Sequence, residues 1–197
     1  MQTYEVFSQV SLTLVFKASF IMLLMGLHIH LFMVRSEAVP LLFPRPKRSE
    51  FELLVNDIMH HEQFVKLKDF HHHTTSIYDH VMRVAFLSYG VSRLLRLNYH
   101  ASARGGLLHD FFLYDWRTRK TNDVHRSLHG HQHPHIALEN ARKHFSVNEV
   151  EADIIVKHMY PKTRSLPRYK ESFLVSLMDK VATLYEYTCH AFRCVTA

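Results

Sequence analysis

The chain has 197 residues, 47% of them apolar, which suits one globular domain with a hydrophobic core. Its formal net charge of +6 suits an anionic substrate such as a phosphate ester or nucleotide, or simply a basic surface, and nothing beyond that charge indicates binding to a nucleic-acid duplex. The two cysteines, Cys189 and Cys194, lack the second pair of a zinc knuckle and are expected to be free thiols.

The N-terminal part of the chain is apolar. Residues 10–34 are rich in apolar side chains, and the uninterrupted run from Ala18 to Val34 has the minimum length for a membrane span. Proline and basic residues at 40–48 predict a linker, which divides the chain into a leader over residues 1–48 and a domain over residues 49–197. Three interpretations of the leader stay open: a membrane anchor, a helix packed on the domain, and an irregular extension. The basic residues after the run favour a cytoplasmic domain, tethered if the leader is an anchor.

The rest of the chain is predicted to be all-α, a bundle of about six to seven helices following the apolar leader helix. The first helix is predicted from apolar residues at helical spacing, namely Phe51, Leu54, Val55, Ile58 and Met59. Thr75 or Ser76 is expected to cap the second helix, whose buried stripe is Ile77, Val81, Val84, Ala85, Ser88, Val91 and Leu95. A third helix begins with small residues that permit close approach by a neighbour: Ala101, Ala103, Gly105 and Gly106.

The C-terminal half contains two loops, the second of them over residues 164–168, and three further helices. Residues 115–132 are polar and rich in histidine, which predicts a loop. Pro134 suits the first turn of the next helix and would place His133 at its N-cap. The segment Ser146–Glu149 has the form of a capping box, and the helix that it opens is expected to end at Pro161. The last helix is predicted over residues 170–192.

Six side chains are candidate metal ligands, because imidazole and carboxylate groups bind divalent metals. They are His80, His109, Asp110, His133, His158 and Asp179. Taken singly, each has a structural alternative, such as a surface position or, for His158, a favourable contact with the helix dipole. Asp179 is the most informative, because its helical neighbours are apolar and a buried carboxylate is costly unless it is paired or binds a metal. His131 and His135 are close alternatives to His133.

In this order the motifs resemble the HD-domain superfamily of metal-dependent phosphohydrolases. The resemblance covers about residues 51–190 and rests on five segments, which are Tyr78–Val84, Gly105–Asp110, His133–Ala137, Ile154–His158 and Ser176–Lys180. The Leu-Leu-His-Asp string and the His-Pro helix start are its most specific parts. The chain looks closest to bacterial HD-domain proteins of unassigned substrate. Its ligand pattern is similar to that of diadenosine-tetraphosphate hydrolases and cyclic-dinucleotide phosphodiesterases.

Two departures separate the chain from the HD-GYP phosphodiesterases. Phe111-Phe112-Leu113 stands where those enzymes continue with Ile-Gly-Lys. Lys157-His158 stands in place of their second histidine pair. Hydrolysis of cyclic di-GMP is therefore not expected.

The resemblance implies two divalent metal ions, with manganese or iron expected first and Mg, Co, Ni or Zn as alternatives. His80, His109, Asp110 and Asp179 would bind the first ion, and His133 and His158 the second, with Asp110 bridging. Water activated by the metals would attack phosphorus in a nucleotide or other small phosphoester, the expected partner of this chain. Asp110, Arg83 and Lys180 would serve catalysis. The residues expected to contact substrate phosphate or select the substrate are Arg83, Lys157, Lys180, Arg117, Arg119 and Lys120.

Two alternatives to hydrolysis stay open. Some HD-fold proteins with a similar ligand set hold a mixed-valent di-iron centre and use oxygen to cleave carbon–phosphorus or carbon–carbon bonds. A non-catalytic signalling module is the other alternative, although the presence of all six candidate ligands argues against a decayed site.

Overall fold

The computed structural model describes residues 47–72, 74–115 and 129–196. The predicted apolar leader helix, and with it the proposed membrane association of residues 10–34, lies outside the described residues, as do Arg117, Arg119 and Lys120. Within the described ranges, no helix combines the length and the apolar character that a membrane crossing requires. Of the described residues, those up to Thr183 belong to one compact unit and those from Leu184 onward belong to another.

The described chain begins with short helices and a small hairpin. These are α1 (Arg48–Leu54), α2 (Asn56–Met59), α3 (Glu62–Val65), a 3-10 turn (Lys66–Asp69), and the antiparallel strands β1 (His71–His72) and β2 (Thr75–Ser76). The single helix predicted from Phe51 to Met59 is interrupted at Val55, where φ is −111° and ψ is 13°. Phe51, Val55 and Ile58 are nevertheless all buried, so the apolar spacing identified the core residues correctly.

Two packed helices follow, α4 (Ile77–Leu94) and α5 (Tyr99–Leu108). Ser76 caps α4 as predicted, because its Oγ accepts a hydrogen bond of 3.0 Å from the Asp79 backbone N–H. The predicted stripe of α4 is buried except at its end, where Val91 is half-buried and Leu95, the residue after the helix, is exposed.

Small residues allow α5 to approach its neighbours closely. A Cβ atom on Gly106 would lie 2.9 Å from the Cα of Ala85 on α4. One on Gly105 would lie 2.8 Å from the Cδ1 of Ile154, on the helix α7 (Glu149–Lys157). The end of α5 is therefore held between α4 and α7, and the residues that directly follow α5 are His109 and Asp110.

Two helix starts differ from the prediction. The helix α6 (His129–His144) contains Pro134 in its interior, so His133 lies within the helix rather than at its N-cap. The N-cap of α7 is Asn148 and not Ser146, because the Asn148 side chain accepts from the backbone of Glu151 while the Glu151 carboxylate accepts from the Asn148 backbone. Asparagine caps as well as serine, and glutamate three residues later completes the box.

The last helix, α8 (Lys170–Thr196), begins as predicted and extends beyond residue 192. A hydrophobic cluster packs its first half against α4 and α7, through Val84, Ile154, Leu174, Val175, Met178 and Ala182. The all-α prediction is thus confirmed for the part of the chain described. Eight α-helices are found there instead of six to seven, because the stretch before the hairpin is broken into three short helices.

Candidate metal centre

The six candidate ligands meet in one buried cluster, although they come from five helices. His80 lies on α4, His109 and Asp110 follow α5, His133 lies on α6, His158 follows α7, and Asp179 lies on α8. The first five residues are at most 5% exposed, and the side chain of Asp179 is 13% exposed. Burial of His80 excludes the surface position that the sequence left open for it. So many polar groups are buried together only if they satisfy one another or bind an ion.

The first half of the cluster surrounds His80. His80, His109 and Asp110 each offer one ligand atom, and these atoms lie within 4.8 Å of one another. The Oδ1 atom of Asp179 lies 3.1 Å from Nε2 of His80 and 3.9 Å from Nε2 of His109. Pairing of Asp179 with the neighbouring lysine is weak, since Nζ of Lys180 is 3.9 Å from its Oδ2.

The second half consists of Asp110, His133 and His158, whose ligand atoms also lie within 4.8 Å of one another. Oδ1 of Asp110 is 3.2 Å from Nε2 of His133 and 3.4 Å from Nε2 of His158. The two histidine nitrogens are 2.9 Å apart. Asp110 therefore belongs to both halves, as a carboxylate between two ions would.

Backbone carbonyls orient two of the imidazole rings. Nδ1 of His109 donates to the Gly106 carbonyl at 2.7 Å, and Nδ1 of His158 donates to the Ile155 carbonyl at 2.8 Å. A carbonyl can only accept, so the hydrogen of each neutral ring is on Nδ1 and the lone pair of Nε2 faces the cluster. The buried Nε2 of His109 has no hydrogen-bond partner among the described residues. Such an arrangement is typical of histidines that bind a metal.

The charge states of the cluster also suit a cation. Burial lowers the pKa of His158 to about 3, because the interior disfavours the charged imidazolium. Burial alone would raise the pKa of Asp110, but the adjacent His109 and the hydrogen bond from His133 hold it well below its usual range. Burial alone would likewise raise the pKa of Asp179, but the hydrogen bond with His80 and the nearby His109 together lower it. Ionised carboxylates and a neutral imidazole are the forms that bind metals.

The oxygen and nitrogen donors therefore fit a divalent metal ion, and this part of the sequence-based prediction agrees with the chemistry of the site. The His133 position is also supported over its two neighbours on α6, because His131 and His135 are exposed. The individual ligand assignments, the number of ions and the element stay predictions.

The residues predicted to bind phosphate differ from one another in their surroundings. Arg83 is half-buried on α4, one turn after His80. Nζ of Lys157 donates to Oγ of Ser165. Nζ of Lys180 donates to the backbone carbonyl of His158 and to Ser176, and burial lowers its pKa. The roles of these residues, and of Arg117 and Lys120 outside the described ranges, stay predictions.

Two residues for which the sequence predicted no role contact the cluster's backbone. The Oγ atom of Ser176 lies 2.7 Å from the His158 carbonyl oxygen. The side-chain amide of Asn140 on α6 donates to the carbonyl of Phe111, the residue after Asp110, at 3.0 Å. The only hint in the sequence is their helical position, since Ser176 precedes Asp179 by three residues and Asn140 follows His133 by seven.

Comparison with protein families matches residues 77–184, more than half of the chain, to the HD domain. No curated protein and no solved structure matches the chain. The matched region begins with α4 and contains all six residues of the buried cluster. The chain therefore belongs to the HD-domain family, whose members are generally metal-dependent phosphohydrolases.

Proposed function

We propose that this chain is a metal-dependent phosphohydrolase that acts on a nucleotide or another small phosphoester. The single observation that carries the proposal is the position of Asp110. Its carboxylate lies between two sets of imidazoles, 3.2 Å from His133 on one side and 3.5 Å from His109 on the other. A divalent ion bound there would polarise a phosphate oxygen and lower the pKa of a water molecule.

The chain's own residues contribute orientation and a dry environment. The carbonyls of Gly106 and Ile155 fix the rings of His109 and His158, so that both Nε2 atoms face Asp110. The ring of Phe112 packs edge-on against His133, with centroids 5.6 Å apart, and closes that side of the cluster with apolar surface. Imidazoles held in this way need no reorganisation when an ion and substrate bind.

A phosphorylated substrate is supported by charge. The net charge of +6 favours the approach of an anion, and Arg83 lies one helical turn from His80. We expect Arg83 to contact the phosphate, because its guanidinium can donate two parallel hydrogen bonds to phosphate oxygens. Two ions that share Asp110, with manganese or iron first among the candidates, match the two overlapping ligand groups.

The test is metal analysis followed by a substrate screen. The full chain would be purified without chelators and anaerobically, analysed for metals, loaded with Mn²⁺ or Fe²⁺, and incubated with a panel of nucleotides and small phosphoesters. Asp110→Ala is the matched inactive variant, and Glu139→Gln, which changes an exposed carboxylate paired with Lys143, is the control. We expect phosphate release by the wild type and by Glu139→Gln, and at least about 100-fold less by Asp110→Ala.

Equal phosphate release by the wild type and Asp110→Ala would contradict the proposal. Oxygen consumption together with the EPR signal of a mixed-valent iron pair would instead support an oxygenase. Less than one metal ion per chain after gentle purification would favour a non-catalytic module.

A further inference from the structure

We propose that Ser176 and Lys180 are positioning residues, which hold the backbone of His158 and so set its ring in the second metal position. The proposal rests on the proposed function. It differs from the expectation that Lys180 contacts substrate phosphate. The observation behind it is a set of hydrogen bonds between α8 and the end of α7.

The end of α7 requires such partners. The last carbonyl groups of a helix receive no hydrogen bond from an N–H group of the same helix, so they need donors from elsewhere. His158 follows directly after α7, and its carbonyl oxygen lies 2.7 Å from Oγ of Ser176 and 3.2 Å from Nζ of Lys180. The Tyr160 carbonyl is 2.9 Å from the same hydroxyl. A cation at this position also interacts favourably with the helix dipole.

The three hydrogens of the Lys180 ammonium are all used in this network. Besides the His158 carbonyl, Nζ donates to the backbone carbonyl of Ser176 at 2.9 Å and to its Oγ at 3.0 Å. An ammonium group has three donors, so none is left to point at a phosphate oxygen. Its charge is 3.9 Å from Oδ2 of Asp179, which adds a weak attraction within the same helix.

The geometry links the two halves of the cluster. Ser176 and Lys180 lie three residues before and one residue after Asp179, so the helix that supplies a ligand to the first half also fixes the backbone of a ligand in the second half. The His158 ring is then fixed from both sides, because its own Nδ1 donates to the Ile155 carbonyl. Loss of the contacts from α8 would free the carbonyl of His158 and let its ring leave Asp110.

The experiment measures Mn²⁺ binding to the full-length chain by equilibrium dialysis and EPR, with Ser176→Ala, Lys180→Met, the conservative Lys180→Arg, and the benchmark His158→Ala. Lys143→Met is the control, because Lys143 forms an exposed ion pair with Glu139, a pair of the kind that contributes little. In Ser176→Ala and Lys180→Met we expect the second Mn²⁺ to bind at least about 10-fold more weakly and the first to bind as in the wild type. His158→Ala should weaken the second binding event further. Lys180→Arg should keep most of the second binding event, and Lys143→Met all of it.

Two other results are distinguishable. If the wild type binds two Mn²⁺ ions and both variants bind them equally well, the positioning role is wrong while the proposed function stands; weaker inhibition of Lys180→Met by inorganic phosphate would then assign Lys180 to the substrate. If the wild type binds no Mn²⁺, both the proposed function and the positioning role are wrong. Ser176→Ala removes only one buried hydroxyl and should keep the fold. It therefore tests the positioning role even if Lys180→Met does not fold.

Discussion

Nε2 of His133 lies 2.9 Å from Nε2 of His158, and both atoms face the same carboxylate oxygen of Asp110. The hydrogen of His158 is on Nδ1, where it is donated to the Ile155 carbonyl, so its Nε2 presents a lone pair. Two ring nitrogens at this distance need a proton or a cation between them, because two lone pairs repel. A divalent ion would satisfy both nitrogens and the oxygen at once.

The cluster is therefore expected to make stability depend on metal. Mn²⁺ at about 100 times its dissociation constant should add about 2.7 kcal/mol to the free energy of unfolding and raise Tm by about 5–10 °C. Differential scanning fluorimetry with added Mn²⁺ and then excess EDTA would measure the shift and its reversal. Asp110→Ala should show a much smaller shift. An equal shift in that variant would place the ion elsewhere.

The choice among three neighbouring histidines on α6 is testable by substitution. His133 is 5% exposed and contacts Asp110, whereas His131 and His135 are exposed. We expect His133→Ala to reduce the bound metal, measured by elemental analysis, with at least about 10-fold weaker binding. His131→Ala and His135→Ala are the matched controls and should bind as the wild type does. A loss confined to either control would reassign the ligand.

Close packing of α5 against α4 predicts that an added methyl group destabilises the protein at Gly106 but not at Gly130, which lies on α6. In Gly106→Ala, the new Cβ would lie 2.9 Å from the Cα of Ala85, and backbone atoms cannot move away without shifting a helix. We expect a loss of about 1–3 kcal/mol in the free energy of unfolding, measured by urea denaturation. In Gly130→Ala the nearest atom is the flexible Nζ of Lys162 at 3.1 Å. That control should be neutral or slightly stabilised, because alanine favours a helix.

Arg104 is expected to make stability depend on pH through Glu151. The Glu151 residue is 2% exposed; Nε of Arg104 is 3.3 Å from it, and Nη1 also binds Asp57 on α2 at 2.7 Å. Burial raises the folded-state pKa of Glu151 above 4.5, and Arg104 opposes that rise. Deprotonation of this carboxyl therefore costs folding free energy as pH rises through the folded pKa, and loss of Arg104 increases the cost.

Arg104→Met should lose about 1–3 kcal/mol at pH 7, and the part of the loss due to Glu151 should disappear below pH 4.5, the unfolded-state value. Denaturation curves at several pH values would measure this. The double variant Arg104→Met/Glu151→Gln should recover part of the loss at neutral pH, because glutamine keeps the capping box and carries no charge. A loss that does not change with pH would show that the contact with Asp57 dominates.

Local sequence signals were sufficient for much of the fold. Ser76 begins α4 because its hydroxyl accepts a hydrogen bond from a first-turn N–H group that has no partner within the helix. The stripe from Ile77 to Ser88 is buried because residues at helical spacing share one face of the helix. The break at Val55 was not predictable, since the spacing of Phe51, Val55 and Ile58 is equally compatible with a continuous helix. The start of α6 was also mispredicted. Pro134 suits a first helical turn, but α6 begins five residues earlier, at His129, and no local signal marks that start.

The sequence alone determined which residues could bind a metal, since the chemistry of His80, His109, Asp110, His133, His158 and Asp179 is a property of their side chains and their order matched a known pattern. Tertiary structure alone decided how they meet. Asp110 lies between both histidine groups because Gly105 and Gly106 let α5 approach its neighbours. The hydrogen bonds of Ser176 and Lys180 to the His158 carbonyl join residues about twenty positions apart, and such contacts follow from the packing of α8 on α7 and not from any local pattern.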